Sequence, residues 1–290
     1  MRMTTIAAPR TGEIDITAFE KNYAESITTR ARHLASPPGL LVLSDAPYDP
    51  TAPKSELPAN ERYILALETT ASRVGVSTEV LASLSHTAID AALGRAGKDP
   101  TVHGVLVTVP FSIDDLDERR LQTERTLGLV PPSKDVDGLR PGGMPATSEA
   151  AVMLLDSVTH GEKLHAHVNG GKGHVGSGIV RLLESRDYEV TVSDINTPIR
   201  LRRELFSRAA VLISASGAAE GVTRDDFNGS SDDEKYLINV GRGRNKAGKT
   251  VGDFSPDAID MAEERGWKYT NSGIGVGRVA TLRVMDRTVG

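Results

Sequence analysis

Apolar residues recur along the chain at two distinct periods. Over residues 15–34 and again over 60–74 they fall at helical spacing among charged residues, and each run ends at a breaker, Pro37-Pro38-Gly39 after the first and Gly75 after the second. Residues 40–43 form a short unbroken apolar run between Gly39 and the Ser44-Asp45 turn, the pattern of a strand covered on both faces. A weaker strand over 77–81, a helix over 87–97 and a β-branched run over 104–109 closed by Pro110 continue the rhythm. Such alternation predicts βαβ units and a mainly parallel sheet.

From residue 131 to 147 the composition turns to Pro, Gly and Asp, so one core is expected to stop and another to begin near residue 150. Beyond it the pattern predicts a helix over 149–158, a strand over 165–169, a glycine-rich turn, a helix over 177–186 and a strand over 189–193. Apolar runs at 210–214, 236–240 and 267–270 each fit one further strand of the same sheet, and 278–289 reads as a helix that packs back onto the first domain. Thr197-Pro198 reads as N-cap and first position of a helix between them. The fold class expected is therefore α/β with two α/β domains and a cleft between them: 1–148, joined by 278–290, and a Rossmann-type domain over 149–277. The sequence contains no internal repeat.

Composition narrows the function. A net charge of -5 gives no basic footprint for nucleic acid, and the absence of cysteine removes disulfides, thiolate nucleophiles and Cys-ligated zinc. No run of about 18 apolar residues occurs and the N-terminus has no apolar leader core, so a soluble, cytoplasmic protein with no membrane partner is expected. His165, His167 and His174 lie close in sequence, but alternate histidines on a strand without a paired acid read as ordinary strand residues, and no metal is expected. The basic run from Gly241 to Lys246 reads as a solvated hairpin.

The strongest local motif is Gly171-Lys172-Gly173-His174-Val175-Gly176, a G-x-G-x-x-G placed after a predicted strand and before a predicted helix, with Gly170 leading into it. Glycines are needed there because the turn is tight, a pyrophosphate must approach bare backbone, and the helix must lie close on the strand. Asp194 then closes the next strand, where an acid can accept hydrogen bonds from the adenosine ribose and repel a 2′-phosphate; with Ile195 beside it, it favours NAD over NADP. Lys172, or one of Arg200, Arg202 and Arg203, could still meet a 2′-phosphate, which leaves dual specificity open. The turns after the following strands, Ala215-Ser216-Gly217 and Val240-Gly241, complete the expected cofactor set.

Four ordered stretches carry a resemblance. Gly104 to Pro110 is similar to a GILVQLP strand, Lys134-Asp135-Val136-Asp137-Gly138 to a KDVDG signature, Val168 to Gly176 to a VVGRSxxVG cofactor turn, and Gly273-Ile274-Gly275-Val276-Gly277 to a PGGVGP loop. Together they resemble the methylenetetrahydrofolate dehydrogenase/cyclohydrolase family over most of the chain. The resemblance implies a homodimeric enzyme of one-carbon metabolism acting on a tetrahydrofolate derivative. It also implies that Tyr63 stacks on the folate, that Asp137 bonds the pterin amino and ring nitrogens, and that Gly275, Val276 and Gly277 let the substrate lie against backbone.

The departures matter as much. The family places a lysine four residues after the tyrosine, on the same helix face; here that position is Leu67, and the glutamine of the strand motif is Thr108. Both losses fall on residues used for hydrolysis of the methenyl cation, so cyclohydrolase activity is expected to be absent or very weak. Gly171-Lys172 replaces an Arg-Ser pair in the cofactor turn, and Asp194-Ile195-Asn196 replaces a His-Ser-Arg/Lys stretch. These changes look like an NAD-dependent monofunctional branch that oxidises 5,10-methylenetetrahydrofolate to the methenyl form. The alternatives are a dehydrogenase of this fold acting on another pterin or small substrate, and a non-catalytic dinucleotide-binding relative.

Overall fold

The computed structural model describes residues 12–53, 57–230, 233–270 and 275–290. Their contacts divide into two compact units, the described residues of 20–146 with 281–290, and those of 12–19 with 147–280.

In the first unit, α1 (Ile16–Arg32) is followed by β1 (Gly39–Leu43), α2 (Ala59–Val74), β2 (Ser77–Leu81), α3 (His86–Ala96), β3 (Val102–Val107) and α4 (Leu116–Leu129). The strands form a parallel sheet in the order β2-β1-β3, so β1 is central. Successive side chains of a strand point to opposite faces, and β1 feeds two cores. Leu40 and Val42 join Ile27 of α1, Ile64, Leu67, Ala71 and Val74 of α2, and Leu282, Val284 and Met285 near the end of the chain. Leu41 and Leu43 join Ile89 and Leu93 of α3, Phe111 and Leu127. The predicted helices and strands of this unit are present, and Gly75 ends α2 in the left-handed conformation. Helix α4 was not predicted: only Thr126 and Leu127 of it are buried, so no apolar stripe marks it, although Asp115 caps it by accepting from Glu118 N at 2.8 Å.

The second unit comprises α5 (Ala146–Thr159), β4 (Ala166–Asn169), α6 (His174–Glu184), β5 (Val190–Ser193), α7 (Ile199–Arg208), β6 (Val211–Ser214), β7 (Tyr236–Asn239), the hairpin β8 (Arg242–Arg244) and β9 (Thr250–Gly252), α8 (Pro256–Glu264) and β10 (Lys268–Tyr269), after which α9 (Gly277–Val289) begins. Five strands form a parallel sheet in the order β10-β7-β6-β4-β5, with β8 and β9 paired antiparallel as the basic run suggested. Even-numbered strand residues Leu212 and the odd Leu237 share one face with Phe206, Phe227, Phe254, Met261, Trp267 and Tyr269. Val168, Ile213 and Ile238, of opposite parity, are fully buried as well, so the sheet is covered on both faces, as parallel sheets require. The N-terminal segment departs from the sequence-based boundary: residues 12–19 cluster with this unit, where Glu13 bridges Tyr269 and Ile14 N donates to Tyr269 O at 2.8 Å. From Thr281 onward α9 belongs to the first unit, the direction in which it was expected to pack. Among the described residues no helix is long and apolar enough to cross a membrane.

Leu67, at the position the resemblance assigns to a lysine, is fully buried in the first core. A lysine there would leave a charge among apolar groups. Leu67→Lys is expected to destabilise the protein by about 3 kcal/mol or more, and Leu67→Met by less than about 1.5 kcal/mol; urea unfolding midpoints of the two variants check this, and a stable lysine variant would contradict the packing.

Candidate functional site

The strand order places a switch point between β4 and β6, from which the chain leaves in opposite directions; open parallel sheets bind ligands in the crevice at the carboxyl ends of such strands. The glycine turn lies there. Gly170 N donates to Ser193 O at 2.8 Å and Gly173 N to Gly170 O at 2.9 Å, after which Gly173 opens α6 with no side-chain cap. The first-turn amides of His174, Val175 and Gly176 have no intrahelical acceptor and form the positive end of the helix. At Gly176 a Cβ would stand 2.1 Å from Gly170 O, so the helix can approach the turn only because the side chain is missing. Across the switch point a Cβ on Gly170 would meet Ala215 O at 2.7 Å, which puts the 215–217 turn against the glycine turn. Uncovered amides and a cradle that any side chain would fill suit an anionic pyrophosphate.

Asp194 follows β5. Its Oδ1 accepts from Asn196 N at 2.9 Å and from the Thr197 hydroxyl at 3.2 Å, and its Oδ2 pairs with Lys172 Nζ at 2.6 Å. Lys172 first, then the backbone and Thr197, hold this carboxyl below its ordinary range. Thr197 is therefore spent on the turn and does not cap α7; Pro198 occupies the N-cap position and the helix starts at Ile199, one residue later than the sequence suggested. Arg202 and Arg203 both bind Asp226, at 2.8 and 3.5 Å, which removes two of the three arginines considered for a 2′-phosphate. Ile195 is 98% exposed beside Asp194, an apolar surface open to a ligand.

The sequence did not point to Asp253. It is fully buried behind β9, and its Oδ2 accepts from Ser214 Oγ, Ser216 N, Ser216 Oγ and Gly217 N at 2.7, 2.8, 2.9 and 3.3 Å. The same carboxylate stands where a Cβ on Gly241 would fall, at 2.3 Å. Val240 and Gly241 N both donate to Ser214 O at 2.9 Å, so the two turns expected to meet the cofactor are joined to one another and to this acid. A signal was available: β4, β5, β6 and β7 each end in a polar residue, Asn169, Ser193, Ser214 and Asn239. His167, within β4, is fully buried, and burial followed by His165 lowers its pKa to about 4, so it is neutral at physiological pH.

In the other unit, the pentapeptide 134–138 divides its residues between structure and availability. Lys134 Nζ donates to Ala96 O and Asp99 O, each at 2.7 Å, and Asp135 accepts from Gly138 N at 2.9 Å and Arg140 N at 3.2 Å. Arg287 donates to Val136 O at 3.1 Å and Met144 O at 2.7 Å, clamping the turn. Asp137 is left facing the Tyr63 hydroxyl, and both side chains are half-buried. Burial, then Asp135, pushes the Asp137 carboxyl up to about 7 against the opposing pull of Arg287 and Tyr63; burial and Asp137 raise the Tyr63 phenol well above its ordinary value. Thr108 is buried at the end of β3, its N–H bonded to Leu43 O at 2.9 Å. Gly275 has φ +54°, Val276 is buried and accepts from Ala280 N at 3.0 Å, and Gly277 starts α9; Gly273 and Ile274 lie outside the described residues.

A switch-point sheet, a glycine turn with no room for side chains and an acid closing the next strand are the pattern of a dinucleotide-binding α/β protein. The sequence profile of the tetrahydrofolate dehydrogenase/cyclohydrolase NAD(P)-binding domain matches residues 145–290. The chain is 32% identical over 246 residues to the bifunctional protein FolD 2 of Rhizorhabdus wittichii, covering 78% of this chain and 77% of that protein. Its fold matches the bifunctional FolD of Campylobacter jejuni with a TM-score of 0.79 at 20% identity, over 96% of each chain. It also matches the methylenetetrahydrofolate dehydrogenase-cyclohydrolase of Trypanosoma brucei, solved with NADP and an inhibitor, with a TM-score of 0.77 at 20% identity over 97% of each. The chain belongs to the tetrahydrofolate dehydrogenase/cyclohydrolase family.

The raised pKa of Asp137 has a definite sign. A carboxyl whose folded-state pKa lies above its unfolded value contributes stability that is full below about pH 4 and is lost as pH rises to about 7. Asp137→Asn, which cannot ionise, is expected to gain stability over the wild type on going from pH 4 to pH 8, by on the order of 1–3 kcal/mol. Urea titrations at the two pH values check this, and a pH-independent difference would rule out the raised carboxyl.

Proposed function

We propose that this protein oxidises 5,10-methylenetetrahydrofolate to the methenyl form with NAD as the acceptor, and that it lacks cyclohydrolase activity. The observation that carries this reading is the pairing of a retained Tyr63 and Asp137 with a fully buried Leu67 one helical turn beyond the tyrosine. Hydrolysis of the methenyl cation needs an activated water and a moved proton, and Leu67 supplies neither. Oxidation asks less of the protein. The nitrogen lone pairs of the substrate expel the hydride, so the chain has chiefly to bind, orient and exclude water. Tyr63 would stack on the pterin and Asp137 would take up its amino and ring N–H groups; the glycine loop at Gly275 and Gly277 would bring backbone, not side chains, against the folate.

NAD, when bound, supplies the hydride acceptor. Gly170 to Gly176 would hold its pyrophosphate, Asp194 its adenosine ribose, Ile195 the adenine face, and Ala215 to Gly217 with Val240 and Gly241 the remaining half. Asp194 supports NAD over NADP because its carboxylate is fixed by Asn196 and Thr197 and is only 15% exposed, whereas its partner Lys172 is 71% exposed on a flexible stem. The fixed partner sets the preference: a ribose diol can donate to it, and a 2′-phosphate is repelled. The T. brucei protein was solved with NADP, so the fold does not exclude that cofactor, and the reading of NAD rests on the acid.

Purified protein mixed with methylenetetrahydrofolate and either cofactor, followed by methenyl absorbance, is expected to turn over with a kcat/KM at least tenfold higher for NAD, with methenyl product then decaying at the uncatalysed rate. Asp194→Asn should narrow the cofactor ratio by about tenfold, the size of one charge-assisted hydrogen bond. NADP preference in the wild type would refute the assignment of Asp194, faster methenyl decay would refute the loss of hydrolysis, and inertness with both cofactors would refute the substrate.

A further inference from the structure

The C-terminal ends of β4, β5 and β6 carry a line of polar side chains on one face of the sheet. The Thr191 hydroxyl lies 2.9 Å from His167 Nδ1, and His167 Nε2 lies 2.8 Å from Ser193 Oγ. Ser193 Oγ is 3.1 Å from Asn169 Oδ1, Asn169 Nδ2 is 3.0 Å from Ser214 Oγ, and Ser214 Oγ is 2.7 Å from Asp253 Oδ2. Its direction follows from one end. A carboxylate only accepts, so Ser214 donates to Asp253 and its oxygen is left to accept from the Asn169 amide. Asn169 therefore turns its Oδ1 to Ser193, Ser193 donates to it, and the Ser193 oxygen must accept from His167 Nε2–H. A neutral imidazole carries one N–H, so Nδ1 accepts from Thr191. Every donor points toward Asp253, and aligned dipoles of this kind strengthen one another in a low-dielectric interior.

Asp253 spends its charge on the turn after β6. Two of its four donors are backbone amides, of Ser216 and Gly217, and a third is the Ser216 hydroxyl. Its main chain is fixed independently: Asp253 N donates to Asn239 Oδ1 at 2.8 Å and Val222 N donates to Asp253 O at 2.9 Å. Asp194 lies beyond β5, on the adenosine side of the switch point, while Ser216, Gly217 and Gly241 lie beyond β6 and β7 on the other side.

We propose that Asp253 is a positioning residue for the half of the dinucleotide opposite the adenosine: it holds the 215–217 turn directly, lies against Gly241, and is the end of a one-way hydrogen-bond chain that begins at Thr191. The proposal rests on dinucleotide binding by this domain. It touches no reacting atom and acts through the two turns, so loss of the charge should loosen the cofactor while leaving the folate pair untouched.

The test uses the full chain and NAD. Asp253→Asn keeps the shape and one acceptor, and is expected to raise the KM for NAD tenfold or more and lower kcat, with the KM for methylenetetrahydrofolate changed less than twofold. Ser216→Ala, which deletes one donor and leaves both amides, should raise the KM for NAD two- to fivefold; because it leaves the core intact, it decides the matter should the asparagine variant not fold. A KM for NAD and a kcat within twofold of wild type in the folded variants would overturn the proposal, as would equal losses in both KM values. Nitrogen NMR of His167 gives a readout independent of any cofactor: the proton is expected on Nε2, and an Nδ1–H tautomer would overturn the chain even in a protein that bound no dinucleotide. A wild type that binds neither NAD nor NADP, yet holds the Nε2–H tautomer, would instead refute the dinucleotide reading.

Discussion

A carboxylate withdrawn from water must find its solvation inside the protein, and in the C-terminal unit this requirement organises the end of the sheet where ligands bind. Desolvating one carboxylate costs several kcal/mol, while each hydrogen bond to a charged group returns about 1.5–3 kcal/mol. Four donors on Asp253 Oδ2 work against that cost, while Oδ1 is buried without a hydrogen-bond donor, and the four converge only if the 215–217 turn adopts the conformation that aims two amides at the same point. The conformation of a functional turn is thus the condition for burying the charge. Gly241 belongs to the same constraint, since a side chain there would displace the carboxylate. The polar residues that close β4, β5, β6 and β7 are in this sense a device of the sheet, turning its carboxyl edge into a hydrogen-bonded rim.

The first unit solves the opposite problem. It leaves one carboxylate, Asp137, facing the Tyr63 hydroxyl, while the neighbouring Lys134, Asp135 and Arg287 bond the turn that carries it. A carboxyl that burial holds above its ordinary range is costly to the fold, which is the usual trade at functional sites. One helical turn separates Tyr63, half-buried beside that acid, from Leu67, buried in the core. Spacing alone puts them on one helix face; the packing of α2 against β1 and the end of the chain puts them in different environments. A lysine at 67 would therefore need a differently packed neighbourhood, and the loss of that lysine and the apolar closure of the core go together.

Much of this was legible in the residues. Apolar runs identified buried strands, breakers at Gly75 and Pro110 marked element ends, and the spacing of glycines after β4 located the tight turn that opens α6, because these are local constraints on backbone and burial. Helix α4 escaped notice since a helix with two buried residues has no stripe to read. Thr197 was misplaced because a hydroxyl beside an acid can cap a helix or close a turn, and Asp194 claims it for the turn.

The sequence by itself determined the two α/β cores, the glycine turn, the acid that follows β5 and the family resemblance, all of which depend on residue type at short spacing. Only the tertiary structure decided that residues 12–19 belong with the C-terminal unit, that Arg202 and Arg203 are committed to Asp226, that Leu67 is core, and that Asp253 holds the 215–217 turn. The physical reason is common to all four. A charge or an apolar side chain acquires its role from partners tens of residues away in sequence, and no local pattern records which of them the fold will bring within hydrogen-bonding distance.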